Sequence, residues 1–198
     1  MKKKNTLNFL LRGWILCCIA VLSQSVSSQV CPDINQRVYA TNQDWSTTLL
    51  GSVSNAGGAI DGDPTTKSTI NTGIVLAGLG TTYQDLSWGG AVVAAGTPVT
   101  VKLGSIPDLL SVGSMVTVQA RRNGNNIGSA QIVTGNLLSL ISGDSVYDVT
   151  FTPQSGGVPQ EYDEVRITAT AGIGLGFSVS VYEAYYHTTT TVANCSLG

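Results

Sequence analysis

From Gln36 onward, apolar and polar residues alternate with a period of two. Val99, Val101 and Leu103 alternate with Thr100 and Lys102. Val116, Val118 and Ala120 alternate with Thr117, Gln119 and Arg121, and Val165, Ile167 and Ala169 with Arg166, Thr168 and Thr170. A strand sends successive side chains to opposite faces, so each run predicts a strand with one face buried. The same reading predicts strands near 36–40, 47–53, 82–88, 127–134, 145–152 and 175–186. Turn chemistry separates them: Asn123-Gly124, Ser142-Gly143-Asp144 and Ser155-Gly156-Gly157. Asn-Gly between two alternating runs is a strong hairpin signal, because both central residues must accept positive φ. No helical period is sustained beyond about ten residues. The pattern predicts an all-β fold, either two packed sheets or a closed barrel.

The N-terminus breaks this pattern. Lys2, Lys3 and Lys4 precede an apolar run from Phe9 to Leu22, interrupted by Arg12, and then the small polar stretch Ser23–Ser28. That order of parts reads as a signal peptide over 1–28, with Gln29 as the mature N-terminus. The uninterrupted stretch Gly13–Leu22 is shorter than the roughly 20 residues that span a bilayer, so no transmembrane anchor is expected after cleavage. A lipidated cysteine would need a small residue before it, and Val30 precedes Cys31. The expected organisation is therefore 1–28 signal peptide, 29–187 β-sandwich domain and 188–198 C-terminal tail or linker. The threonine run 188–191 marks the start of the tail.

Export changes the charge. The whole chain carries 10 basic and 12 acidic residues, but Lys2, Lys3, Lys4 and Arg12 leave with the signal. An acidic mature domain offers no basic face for phosphates, which excludes nucleic acid as a partner. Cys17 and Cys18 also leave, and Cys31 and Cys195 remain at the two ends of the domain. In an oxidising compartment this pair is expected to form a disulfide, with two free thiols as the alternative.

One stretch offers metal chemistry. Gly57-Gly58-Ala59-Ile60-Asp61-Gly62-Asp63-Pro64-Thr65-Thr66 places two carboxylates one residue apart, between glycines and hydroxyls. Oxygen donors of this kind suit a hard cation such as calcium, although Asp-Gly and Asp-Pro are also ordinary turn residues. In the closing strand Phe177, Val179 and Val181 share one face, and strict alternation adds Glu183 to it. A carboxylate there needs an arginine, a proton or a metal ion as partner, unless a bulge near Tyr182 returns it to water.

Ala59-Ile60-Asp61-Gly62-Asp63 with Thr66 resembles the calcium loop of discoidin-type (coagulation-factor C-type), galactose-binding-like jelly rolls, a group that includes many secreted carbohydrate-binding modules. Asp163-Glu164-Val165-Arg166-Ile167 and Val181-Tyr182-Glu183-Ala184-Tyr185 are similar to the closing strands of that family. The resemblance implies a jelly-roll β-sandwich of about eight to ten antiparallel strands. It also implies calcium held by Asp61, Asp63, Thr66 and Glu183, with the carbonyls of Gly58 and Tyr182 completing the shell. Cysteines at both domain ends are a habit of the same family. More loosely, the chain is similar to N-terminal β-sandwich modules of bacterial surface proteins, which implies adhesion or display.

Other constellations offer less. His187 is the only histidine and falls just past the last strand, away from any triad or zinc site. Glu161, Asp163 and Glu164 could supply a glycosidase carboxylate pair, but a charged turn explains them equally. Gly172-Ile173-Gly174-Leu175-Gly176 precedes a strand rather than a helix N-terminus and reads as a hairpin. A sugar site would need an aromatic platform beside polar groups, for which Trp45, Tyr83, Trp88, Arg121, Arg122 and Asn123 are the candidates, each with a core or turn alternative. The sequence thus predicts a secreted or cell-surface, non-catalytic binding or adhesion module, calcium-stabilised, with extracellular carbohydrate or a surface protein as partner. The alternative is a purely structural module of an adhesin or matrix protein.

Overall fold

The computed structural model describes residues 34–74, 80–104, 115–133, 138–140, 146–172 and 176–190. The signal-peptide reading, Cys31 and Cys195 lie outside the described residues. Among those described, fifteen strand segments and one short 3-10 turn, Ala56–Ala59, form the fold.

The first sheet contains β1 (Ile34–Tyr39), β3 (Ser52–Ser54), β4 (Ser68–Asn71), β6 (Val99–Gly104), β10 (Leu138–Leu140), β11 (Val146–Phe151) and β15 (Ser178–Thr190). Its order is β10-β11-β6-β15-β4-β3, and β1 pairs with the far half of β15. The second contains β2 (Asn42–Thr47), β5 (Gly80–Ser87), β7 (Met115–Arg122), β8 (Asn125–Asn126), β9 (Gln131–Ile132) and β14 (Glu164–Ala171). Its order is β2-β5-β14-β7-β8, with β9 also on β7. A separate hairpin joins β12 (Gln154–Ser155) to β13 (Val158–Pro159). All these pairings are antiparallel. The two sheets form the expected all-β jelly-roll sandwich.

The alternating runs supply its core. Val99, Val101 and Leu103 of β6, Val149 of β11, and Val179, Val181 and Ala184 of β15 come from one sheet. Leu86 of β5, Val116, Val118 and Ala120 of β7, and Val165, Ile167 and Ala169 of β14 come from the other. Burying such a side chain contributes roughly 1.5–3 kcal/mol, so this two-sided layer is the main stabilising feature. Asn123-Gly124 forms the expected tight hairpin, with φ of 49° and 75° and Arg122 opposite Asn125.

Three expectations are corrected. The stretch 47–53 is not one strand: β2 belongs to one sheet and β3 to the other, so the chain crosses between sheets at 48–51. Gly51 sits at that crossing, where an added Cβ would come within 2.8 Å of the Asn71 carbonyl. Residues 173–175 lie outside the described residues, but the flanking strands β14 and β15 lie in different sheets and so do not form the expected hairpin. The threonine run does not begin a tail: Thr188, Thr189 and Thr190 extend β15 opposite Gln36, Asn35 and Ile34.

Candidate functional site

The loop between β3 and β4 is built from the inside outward. Gln84 points from β5 into the sandwich and is fully buried. Its amide oxygen accepts from the Ser68 hydroxyl at 2.6 Å, and its amide nitrogen donates to the Ala56 carbonyl at 3.0 Å. A buried amide must be paired, and here the pairing ties the 3-10 turn to both sheets. Asn55, at φ 49°, donates across the base of the loop to the Lys67 carbonyl at 2.9 Å. Gly58 lies against this clasp: a Cβ would stand 2.7 Å from the Lys67 carbonyl oxygen, which only glycine avoids.

Within that frame the Thr66 hydroxyl is surrounded by oxygen. It lies 3.1 Å from the Gly58 carbonyl, 2.8 and 2.7 Å from the Asp61 carboxylate oxygens, and 3.0 Å from the Asp63 carbonyl. A hydroxyl carries one proton and cannot donate to all four. Oxygen crowding of this kind, from two backbone carbonyls, a carboxylate and a hydroxyl, is the donor chemistry of a hard cation. The Asp63 carboxylate is engaged differently. It accepts from the Thr65 backbone N–H at 2.9 Å and the Thr65 hydroxyl at 2.6 Å, which hold its pKa below the ordinary carboxylate value. Asp63 therefore turns its carbonyl, rather than its side chain, toward Thr66.

Glu183 does not follow strict alternation. The register slips by one residue between Val181 and Glu183, a β-bulge at Tyr182. Val181 faces the core opposite Leu103, whereas Glu183 stands opposite Lys102, on the outward face. The bulge does not return it to water, since Glu183 is only 6% exposed. Lys102 is flanked on its other side by Asp148 of β11, so Asp148, Lys102 and Glu183 form one cross-strand row. Desolvation pushes both carboxylates upward in pKa, against the pull of Lys102 and Arg37. Among the described residues, Asp148 receives only a long 3.4 Å bond from the Tyr185 hydroxyl, and its Oδ1 is buried without a partner.

Lys102 links this row to the loop by donating to the Pro64 carbonyl at 3.2 Å. Lys67 and Lys102 both stand over the Tyr182 ring, at 5.7 and 5.4 Å. The structure thus brings Gly58, Asp61, Asp63 and Thr66 together. Glu183 is held by the charges of Lys102 and Arg37 against the repulsion of Asp148, and Tyr182 offers its ring to the two lysines. Among the described residues, no three His, Cys, Asp or Glu side chains are grouped to hold a metal ion.

The expected aromatic platform is not assembled. Trp88 is a core residue, 5% exposed, with its indole N–H donating to the Val38 carbonyl at 3.1 Å and its ring edge-on to Tyr162 and Tyr186. Tyr83 lies on the outer face of the second sheet, covered by the Arg166 guanidinium at 3.6 Å. Trp45 is 39% exposed on the edge strand β2. Arg121 is engaged by Asp85 at 2.8 Å, by Glu164 and by the Gly124 carbonyl. Arg122 pairs with Asp163 at 2.6 Å, and the same carboxylate accepts from the Asn123 backbone N–H. Asp163 and Glu164 therefore hold the Asn123 turn and Arg121. His187 is exposed and bonds Asn35 at 2.9 Å.

Comparison with known proteins gives fold-level neighbours only. No family model matches the chain, and no curated protein matches it. Among solved structures it is similar to the family 32 carbohydrate-binding module of C. perfringens NanJ in complex with galactose, at 18% identity and a TM-score of 0.41 over 77% of this chain and 100% of that one. It is also similar to a low-affinity xylan-binding module from Roseburia intestinalis, at 11% identity and 0.44 over 79% and 96%. A third is a Streptococcus pneumoniae fucose-binding module, at 17% identity and 0.39 over 73% and 92%. These neighbours are carbohydrate-binding modules, but likenesses at this level carry no argument about the ligand of this chain.

Proposed function

We propose that this domain is an exported, non-catalytic carbohydrate-binding module that calcium stabilises. The observation that carries the reading is the Gly58–Thr66 loop. Four oxygen donors close on one hydroxyl, in the stretch whose residues resemble the calcium loop of galactose-binding-like jelly rolls, on a two-sheet sandwich. Gly58, Asp61, Asp63 and Thr66 would hold the ion. Bound there, it would supply the positive charge that the Thr66 proton cannot share among four oxygens, fixing the loop against Gln84 and Asn55.

A folded-state ion stabilises by mass action, by about 2.7 kcal/mol at a hundred times its Kd. Excess chelator is expected to lower Tm and calcium to restore it, with Asp61→Asn abolishing the response. An unchanged melting curve defeats the calcium part. A glycan array tests the ligand, and absence of any saturable, sugar-competed signal favours a structural module.

The Cys31–Cys195 disulfide belongs to the same proposal. It is supported by Ile34 pairing with Thr190, which makes the chain enter and leave the sandwich side by side. In the chain-entropy account such a bond stabilises by roughly 5 kcal/mol at most. Intact mass with and without reductant should differ by two hydrogens.

A further inference from the structure

At the margin where the two sheets part, Ile127, Ser129, Gln131, Phe151, Thr152, Pro153 and Gln154 line a half-open cleft of about 330 Å³. None of the sequence-derived candidates lies in it.

Its walls are held by backbone bonds and by one side-chain amide. On one side the Ile127 N–H donates to the Ala120 carbonyl at 2.9 Å, the Val133 N–H to the Val116 carbonyl at 2.9 Å, and the Gln119 amide to the Gly128 carbonyl at 3.0 Å. On the other, Phe151 ends β11 opposite Val99, and the Pro153 carbonyl accepts from the Gln160 N–H at 2.9 Å. Gly128, at φ +59°, brings the walls together: any Cβ there would strike the Gln154 carbonyl. The cleft therefore exists before a ligand arrives, and its ordering cost is already met.

The lining has two parts. Ile127 and Phe151 pack against the core and expose the rest of their apolar surface to the cleft. Around them stand groups with unused hydrogen-bonding capacity. The Ser129 and Thr152 hydroxyls and the Gln154 amide make no bond within the protein among the described residues. Gln131 uses only its nitrogen, donating to the Ser129 carbonyl at 3.1 Å. Two apolar side chains set among mostly polar lining, at the small end of the roughly 300–1,000 Å³ range of ligand pockets, suit a small polar ligand.

Resting on the carbohydrate-binding reading, we propose that this cleft is the sugar site and that it takes one uncharged pyranose. The C–H face of the ring lies on Phe151, and the hydroxyls meet Ser129, Gln131, Thr152 and Gln154. Each such side chain both donates and accepts, as a sugar hydroxyl does. Among the described residues, no charged side chain lines the cleft. A uronic or sialic acid would bury its carboxylate there without a counter-charge, at a cost a neutral sugar avoids.

The test is an NMR titration of the isotopically labelled mature protein with neutral aldohexoses, 6-deoxyhexoses and aldopentoses, and with uronic and sialic acids, alongside a glycan array. Neutral sugars should give saturable shifts centred on 127–131 and 151–154. Gln131→Ala and Gln154→Ala sit at exposed or half-exposed positions and should each weaken binding tenfold or more at unchanged Tm. Thr152→Trp, which fills the cleft, should abolish it. Undiminished binding in the Gln131→Ala/Gln154→Ala double variant would overturn the cleft and leave the carbohydrate reading standing. Preference for acidic sugars would overturn the neutral assignment. Silence across both panels would overturn the cleft together with the carbohydrate reading.

Discussion

The outward faces of the two sheets each carry a carboxylate taken largely out of water, and they treat it in opposite ways. On the second sheet Asp85 of β5 accepts three charge-assisted bonds, two from Arg166 at 2.7 and 2.6 Å and one from Arg121 at 2.8 Å. Arg121 also holds Glu164, and Arg166 lies flat on Tyr83. On the first sheet Asp148 and Glu183 flank a single Lys102, which donates a hydrogen bond to the Pro64 carbonyl. The difference is one of donor geometry. A guanidinium presents five N–H groups in a fixed fork and can serve two strands at once, whereas an ammonium is a point charge on a flexible stem. The arginine face is closed on itself. The lysine face leaves Asp148 Oδ1 buried and unpaired among the described residues, and desolvation raises both its carboxylates, as it also raises Glu164 on the arginine face.

The largest effect is expected from breaking the satisfied side. Asp85→Ala removes the carboxylate shared by two guanidiniums that are themselves only 13% and 21% exposed, leaving Arg121 with Glu164 and Arg166 with the Tyr83 ring. Removing one member of such a group costs about 3–5 kcal/mol when burial is complete, and about 2–4 kcal/mol is expected here. Urea denaturation should show a lower midpoint at unchanged slope. On the other face, Lys102→Met should cost about 1–3 kcal/mol at neutral pH, because two half-compensated carboxylates lose their shared cation.

That loss should depend on pH, with a definite sign. A carboxylate whose pKa is raised by folding binds its proton more tightly in the folded state. As pH rises from the ordinary carboxylate value through the raised one, the folded form becomes less stable relative to the unfolded. Asp148 and Glu183 therefore favour the folded state most at acidic pH, and Asp63, whose pKa is lowered, works in the opposite sense. The Lys102→Met penalty should shrink as pH falls through that window. A penalty independent of pH would mean that the lysine acts through the Tyr182 ring and the Pro64 carbonyl rather than through the two carboxylates.

Period two revealed the parts of this architecture that depend on a single buried face. β6, β7 and β14 fall within one residue of the runs that predicted them, because an alternating strand needs no knowledge of its neighbour. The same parity counted along β5 puts Trp88 with Leu86, inside, which is the core alternative for that tryptophan, and Tyr83 with Asp85, outside. The bulge at Tyr182 also left a trace: Val179 and Val181 are core residues at odd positions, and Ala184 is one at an even position. The oxygen cluster was legible because Asp61, Asp63 and Thr66 are local. Gln84 and Asp148 were not, since an inward glutamine is explained only by Ala56 and Ser68, and the burial of Asp148 only by strands distant in sequence.

Smaller effects probe the unsatisfied side directly. Asp148→Asn removes a charge that burial opposes and keeps the shape. It should stabilise by about 0.5–1.5 kcal/mol at neutral pH, with the gain vanishing below the carboxylate range. Destabilisation at neutral pH would show that Lys102 and Arg37 more than offset the desolvation of Asp148.

Tyr185→Phe should have the least effect on stability and the most informative effect on titration. The ring is already held edge-on to Tyr39 at 5.6 Å and beneath the Arg37 guanidinium at 4.5 Å, and phenylalanine keeps both contacts. Only the 3.4 Å bond to Asp148 is lost, at the weak end of hydrogen-bond geometry, so a cost below about 0.5 kcal/mol is expected. That bond nevertheless opposes the desolvation of Asp148. The carboxyl of Asp148, followed by carbon NMR through a pH titration, should therefore titrate higher in Tyr185→Phe than in the parent. An unmoved titration would mean that the hydroxyl donates nothing, leaving the outer face of the first sheet with a lysine and an arginine as its whole answer to one buried and one half-buried carboxylate.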